Sequence, residues 1–176
     1  MNCLFCNIAQ NEKERMTIYE DERLVLIMDK FPICDGHALV IPKKHFEDIY
    51  EVDEKTLSHM FEVAKKYAKV LMDVTNEKGC TFSINYGDKQ EIKHLHLHIM
   101  PNYKVKPSKK VDEVYNLVVS YYEKENRKIS EVAYRYSRCC DYFGRNVRLF
   151  FRYNRRKISR SVEKRKLQRN FSYHIR

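Results

Sequence analysis

No stretch of this sequence approaches the length of apolar residues that spans a membrane, and its start, Met1-Asn2-Cys3-Leu4-Phe5-Cys6, lacks the basic and apolar regions of a signal peptide. These absences predict a soluble, cytoplasmic protein with no membrane partner. Tryptophan is missing and there are only four glycines and four prolines in 176 residues, so no Gly/Ser-rich linker divides the chain, and no internal repeat is visible. In a reducing compartment the six cysteines stay mostly as thiols, so closely spaced pairs point to metal before disulfide. The length suffices for one domain with a real core, plus an extension.

The net charge of +10 is unevenly divided. Residues 130–176 hold 14 Lys plus Arg against 3 Asp plus Glu, and residues 1–129 hold 20 against 21. The basic character therefore belongs to the tail, which also prefers Arg to Lys by 11 to 3, whereas the front has 3 Arg and 17 Lys. Such a break predicts a domain over residues 1–128 and a separate Arg- and aromatic-rich tail over 129–176. The tail could neutralise nucleic-acid phosphates and stack on bases, as in Tyr142-Phe143-Gly144-Arg145 to Arg156. A shifted reading frame or a recent extension would give the same composition without a selected role.

Ile18-Tyr19, Leu24 to Met28 and Ala38 to Ile41 read as short strands separated by charged or Pro/Gly-containing turns. From Asp53, an N-cap, apolar residues at Leu57, Met60, Phe61, Ala64, Ala68, Leu71 and Met72 predict an amphipathic helix of about six turns ending before Gly79. Cys80 to Tyr86 reads as another strand and Gly87-Asp88-Lys89 as a turn. Val111 to Lys124 reads as a second long helix, and a short helix is predicted over Leu4 to Gln10. The strands imply an antiparallel sheet.

The most informative feature is His94-Leu95-His96-Leu97-His98, followed by Ile99-Met100-Pro101. As a strand, this run places all three imidazoles on one face within roughly 13 Å and buries Leu95, Leu97 and Ile99 on the other. Three histidines so placed could ligate one metal, form a polar solvated face, or grip a phosphate with a nucleophile in the middle. A neutral imidazole near pH 7 is a competent nucleophile. The Cys3 and Cys6 spacing suits zinc, which needs two further ligands.

These residues resemble the histidine triad (HIT) family of nucleotide-binding hydrolases and transferases, whose signature is His-x-His-x-His followed by two apolar positions. The resemblance covers roughly residues 3–107. It includes Cys3-Leu4-Phe5-Cys6, Met28-Asp29-Lys30-Phe31-Pro32, Gly36-His37-Ala38 through Ile41-Pro42-Lys43-Lys44-His45, and Gln90 four residues before His94. It implies an α+β fold, an antiparallel sheet of about five strands with packed helices, paired as a homodimer. It also implies hydrolysis or transfer at the α-phosphate of a purine nucleotide conjugate, of the nucleoside phosphoramidate or the dinucleoside polyphosphate type. No organic cofactor is expected.

By the same resemblance His96 attacks the α-phosphorus, His98 contacts phosphate oxygens or the leaving group, and His94 supports His96 or binds metal. Asn85 and Gln90 would donate to the phosphate or the leaving-group bridge, with Glu91 and Ile92 in the same phosphate loop. Asp29 would accept from the ribose hydroxyls, and Leu4, Phe5, Ile8, Leu26 and Ile27 would wall the base pocket. His37 would sit beneath the triad as a structural histidine. A structural zinc would be held by Cys3, Cys6, His45 and His94. The sequence departs from the family at Lys89, where Gly is common, at Glu91, where Ser or Thr is common, and at Asn102, where Arg is frequent.

Overall fold

A computed structural model describes residues 3–10 and 15–139. The elements run α1 (Leu4–Ala9), β1 (Thr17–Glu20), β2 (Leu24–Met28), β3 (Ala38–Pro42), α2 (Glu54–Thr75), β4 (Cys80–Ser83), β5 (Leu97–Pro101) and α3 (Val111–Cys139), with a 3-10 turn at Gly87–Lys89. The strands form one antiparallel sheet in the order β1-β2-β3-β5-β4. The α+β class and the five-stranded sheet match the expectation from the sequence.

Alternation along the strands splits the apolar residues between two faces. Leu24, Leu26, Met28, Ala38, Val40, Leu97 and Ile99 pack beneath α2 with Met60, Ala64, Ala68 and Leu71, and Val114 and Val118 of α3 join this main core. Val25, Ile27, Leu39 and Ile41 face the other way and meet Phe5 and Ala9 of α1. One face is thus covered by a helix of 22 residues and the other by one of six.

The long helix starts where Asp53 caps it, accepting from the Thr56 backbone N–H at 2.9 Å and from its hydroxyl at 2.8 Å. It ends at Asn76, which takes the left-handed conformation at φ 58°, three residues before the glycine that marks the stop in the sequence. Asparagine tolerates that conformation, so glycine is not needed there.

Three boundaries differ from the sequence reading. The regular strand holds only His98 of the three histidines, because β5 begins at Leu97. His94, in a bend, and His96 lie in the segment leading into it, where Leu95 N donates to Phe46 O at 2.7 Å instead of to a neighbouring strand. β4 stops at Ser83, so Ile84 to Tyr86 leave the ladder and free Asn85 to reach His98. Helix α3 runs on from Lys124 to Cys139, through residues that include neither Gly nor Pro and so lack a stop signal.

Residues Met1–Lys124 form one unit and Glu125–Arg176 a second; the sheet and the histidine and cysteine clusters lie in the first. The Arg/aromatic segment from Tyr142 onward, with its expected nucleic-acid contacts, lies outside the described residues. Among the described residues no helix is long and apolar enough to cross a membrane.

Candidate active site and metal centre

The thinly covered face of the sheet carries the histidines. His98 is the register partner of Leu39 in β3 and of Ser83 in β4, and its ring centroid lies 4.8 Å from that of His96. Phe5 sets its ring edge against both His96, at 4.8 Å, and His94, at 6.0 Å. The row predicted from alternation therefore exists on one face, but His94, His96 and His98 do not converge on one point. Their ring nitrogens go to three different partners, so these three do not form one metal site.

His96 Nδ1 lies 2.7 Å from the backbone carbonyl of His94. A carbonyl only accepts, so Nδ1 carries the hydrogen and Nε2 keeps its lone pair. Burial lowers the pKa of His96 from the ordinary histidine value, against the raising effects of the His94 carbonyl and of Asp29. The ring is thus held neutral, in the tautomer a nucleophile needs, with only 7 % of its surface exposed.

His98 is aligned by a chain of hydrogen bonds. His37 Nδ1 lies 3.2 Å from Asp29 Oδ2, His37 Nε2 lies 2.9 Å from His98 Nδ1, and His98 Nε2 lies 3.4 Å from Asn85 Nδ2. Because the Asp29 carboxylate accepts, His37 donates from Nδ1, accepts at Nε2 from His98, and so leaves the His98 Nε2 lone pair toward the Asn85 amide. The Ile33 N–H approaches the same His37 Nδ1 only at 3.4 Å. Burial, and then the neighbouring His96 and His37, push the pKa of His98 down to about 4. Burial also lowers that of His37, with Asp29 opposing and His96 adding to the shift.

The loop between β2 and β3 delivers this chain. Asp29 Oδ1 accepts from the Phe31 N–H at 2.9 Å, and Asp29 N–H donates to His37 O at 3.0 Å, closing the loop at its base. Gly36 turns it at φ 81°, and a Cβ there would stand 3.1 Å from Thr75 Cγ2 and 3.2 Å from Pro101 Cγ. Only glycine fits that conformation and that space together.

Beside this chain lies a second cluster. Cys6 Sγ is 3.3 Å from His45 Nδ1 and 3.5 Å from His94 Nδ1, Cys3 Sγ is 3.4 Å from His94 Nδ1, and the two Nδ1 atoms are 3.2 Å apart. With metal–sulfur bonds of about 2.3 Å and metal–nitrogen bonds of about 2.0–2.1 Å at tetrahedral angles, zinc requires nitrogen–nitrogen separations of about 3.3 Å and sulfur–nitrogen separations of about 3.6 Å. The four donor atoms fit that frame, and all lie within 4.8 Å of one another. His94 Nε2 donates to the Pro42 carbonyl at 2.9 Å, which turns the Nδ1 lone pair toward the thiols, as a ligating histidine requires. Burial and the neighbouring Cys3 raise the pKa of Cys6, and a bound cation would reverse that by stabilising the thiolates.

The remaining predicted residues divide. Phe5, Ile8, Ile27 and Ile92 belong to the apolar cluster on the histidine face, whereas Leu26 is in the main core beneath α2. Its expected place in a base pocket is overturned by strand alternation: neighbours Leu26 and Ile27 cannot share a face. Leu4 is 39 % exposed and Glu91 is exposed. Gln90 is buried, and its amide Nε2 donates to Glu47 O at 2.6 Å and Ile92 O at 3.1 Å. In this arrangement its donors fasten the loop rather than face the histidines. The part played by the Pro42 carbonyl had no signal in the sequence, because it is a backbone group. His37 carried a signal, its place after Gly36, but not the identity of its partners.

A sequence model described as HIT domain matches residues 10–105. Among similar proteins, "Protein hit" of Bacillus subtilis is 35% identical over 104 residues, which cover 58% of this chain and 72% of that one. Among solved structures, a hypothetical histidine triad nucleotide-binding protein from Sulfolobus tokodaii superposes with a TM-score of 0.63 at 36% identity, covering 72% of this chain and 96% of that one. A Zn-bound histidine triad family protein from Mycobacterium smegmatis gives a TM-score of 0.65 at 28% identity, covering 73% and 98%. With the histidine row, its supporting loop and the matched sequence in agreement, this chain belongs to the HIT family.

Proposed function

We propose that the protein is a nucleotide hydrolase or transferase that acts at the α-phosphate of a purine nucleotide conjugate, of the nucleoside phosphoramidate type, through a nucleotidyl-histidine on His96. The observation that carries this reading is the hydrogen bond from His96 Nδ1 to the His94 carbonyl at 2.7 Å, which leaves Nε2 as the one available nucleophilic atom of the ring. The nucleotide-binding description of the Sulfolobus structure and the hydrolase description of a HIT protein from Legionella pneumophila, 34% identical with a TM-score of 0.52, favour the same class.

In the first step His96 Nε2 forms a bond to the α-phosphorus as the phosphorus–nitrogen bond to the amine breaks, and the amine leaves after taking a proton from solvent water. In the second, water forms a bond to phosphorus, its proton passes to solvent, and the phosphorus–Nε2 bond breaks with its electron pair returning to the ring, which regains its starting state. Asn85, whose amide lies 3.4 Å from His98 Nε2, has a second N–H for the phosphate oxygens, where a donor aimed at growing negative charge is worth on the order of 2.7–4 kcal/mol, and His98 orients that amide through its Nε2 lone pair. Asp29 accepts from the ribose hydroxyls with the oxygen capacity left by His37 and Phe31 N–H. Phe5, Ile8, Ile27 and Ile92 wall the base pocket, and Gln90 holds the loop that carries Ile92. Cys3, Cys6, His45 and His94 hold a zinc ion whose contribution is structural, since protein atoms take all four positions. His94 then acts on catalysis through its carbonyl, not its ring.

The same nucleophile would serve a dinucleoside polyphosphate, where a nucleotide leaves instead of an amine. Parallel assays with an adenosine phosphoramidate and a diadenosine polyphosphate, using His96→Ala and His96→Asn, test the reading. We expect phosphoramidate turnover to fall roughly a thousandfold or more, as on loss of other catalytic nucleophiles, with AMP binding retained. A His96 variant with near wild-type turnover would sink it.

A further inference from the structure

We propose that the Cys3, Cys6, His45 and His94 centre is an oxidant-sensitive control point for the His96 nucleophile: oxidation of Cys3 and Cys6 to a disulfide releases the metal and disengages both supports of the His96 ring. The inference rests on the proposed reaction only for its kinetic readout.

Two short routes join the centre to the nucleophile. The first runs through His94. Its ring is fixed between the cysteines and the Pro42 carbonyl, and its own carbonyl takes the His96 Nδ1 hydrogen. The second runs through α1. Phe5 stands between the two cysteines in sequence and sets its ring edge 4.8 Å from the His96 ring. At six residues, α1 is far shorter than the ~12–15 residues at which an isolated helix becomes even marginally stable. It depends on what it docks against, and its buried residues are only Phe5 and Ala9. The two cysteines are therefore a large part of what fastens it.

The exposure of the four ligands is unequal. His94 is fully buried, while Cys3 and Cys6 are partly exposed, so a small peroxide reaches the sulfurs first. Their Sγ atoms lie within 4.8 Å of each other. In the step, two thiolates lose two electrons and form one S–S bond; hydrogen peroxide takes those electrons and two protons, its O–O bond breaks, and two waters leave. The disulfide offers no thiolate, and two histidines cannot hold zinc alone. Cys34 differs: it is buried, and burial pushes its thiol up to about 11, which keeps it in the unreactive thiol form.

The test uses the full-length zinc-loaded protein titrated with hydrogen peroxide. Released zinc is followed with a chromogenic chelator, disulfides by peptide mass mapping, the His96 ring by proton–nitrogen NMR, and turnover with an adenosine phosphoramidate. We expect one zinc released per Cys3–Cys6 disulfide, displaced His96 ring resonances, and a loss of kcat of about 10- to 100-fold, the range seen when outer-shell partners of such sites are removed. Reductant with zinc should restore all three. Cys6→Ser should form no such disulfide and show no further response to peroxide; if it fails to fold, Phe5→Leu should shift the His96 resonances with zinc still bound. Zinc release with unchanged His96 resonances and unchanged kcat would overturn the proposal, as would oxidation that leaves Cys3 and Cys6 reduced. Absence of turnover by the zinc-loaded protein would count against the proposed reaction alone, because the NMR readout still decides the coupling.

Discussion

The rings of His37 and His98 lie nearly parallel, 21° apart with 5.1 Å between centroids, and share a hydrogen bond of 2.9 Å. Since the far side of His37 is set by Asp29, a loop carboxylate fixes which nitrogen of His98 faces the site. His37→Ala should therefore lower kcat while leaving the fold intact. Loss of a buried partner costs about 1–3 kcal/mol, which in a rate is roughly 5- to 150-fold. Steady-state kinetics on this variant, with thermal unfolding as a control, would refute the link if only stability changed.

Proton uptake by His98 has a defined direction. Its folded pKa of about 4 lies below the ordinary 6.5 because of burial, then because of His96 and His37, the latter backed by Asp29. Its neutral form therefore persists through pH 5, and its contribution to stability is complete above about pH 6.5 and lost as pH falls through about 4. Urea unfolding between pH 7 and 4 should show the decline, and His98→Asn should flatten it. A decline of equal slope in that variant would assign it elsewhere.

Metal content offers an independent check. Purified protein should carry about one zinc per chain, and Cys3→Ser should lower both zinc content and melting temperature, because metal binding is also folding free energy. Elemental analysis of freshly reduced protein that finds no zinc would leave these residues as ordinary thiols.

The tail is expected to act separately. Residues 1–128 contain Val111, Val114, Tyr115, Val118, Tyr121 and Tyr122, the α3 residues that pack on the main core. A truncation after Lys128 should stay folded, keep turnover, and lose any binding to RNA or DNA. In the full chain that binding should weaken steeply with salt, since each neutralised phosphate adds to the salt dependence. An insoluble or inactive truncation would place the boundary elsewhere.

Much of this was legible in the sequence because it depends on local periodicity or fixed spacing. Strand alternation located the histidine row and its buried Leu95, Leu97 and Ile99, and Asp53 marked the start of α2. What was not legible depends on register between distant segments. That Leu39 opposes His98, and that Pro42 O receives His94 Nε2, follows from pairing β3 with β5 across more than fifty residues. The three histidines looked equivalent because spacing says nothing about hydrogen-bond partners, which give each ring a different task. Gln90 shows the same limit: its position was visible, but not that its donors are taken by Glu47 and Ile92.

The unequal cover on the two sides of the sheet also divides the tolerance of the protein to change. On the α2 side, side chains interlock across a deep core, and a substitution such as Leu97→Ala is felt through folding, at a typical 2–5 kcal/mol. On the α1 side, Leu4 and Ile8 of a helix of six residues and Lys30 to Ile33 of the β2–β3 loop can vary without rebuilding that core. Altered ligand preference can then arise by replacing these few residues, while Cys3, Phe5, Cys6, Asp29, Gly36 and His37, which aim the histidines, are inherited unchanged.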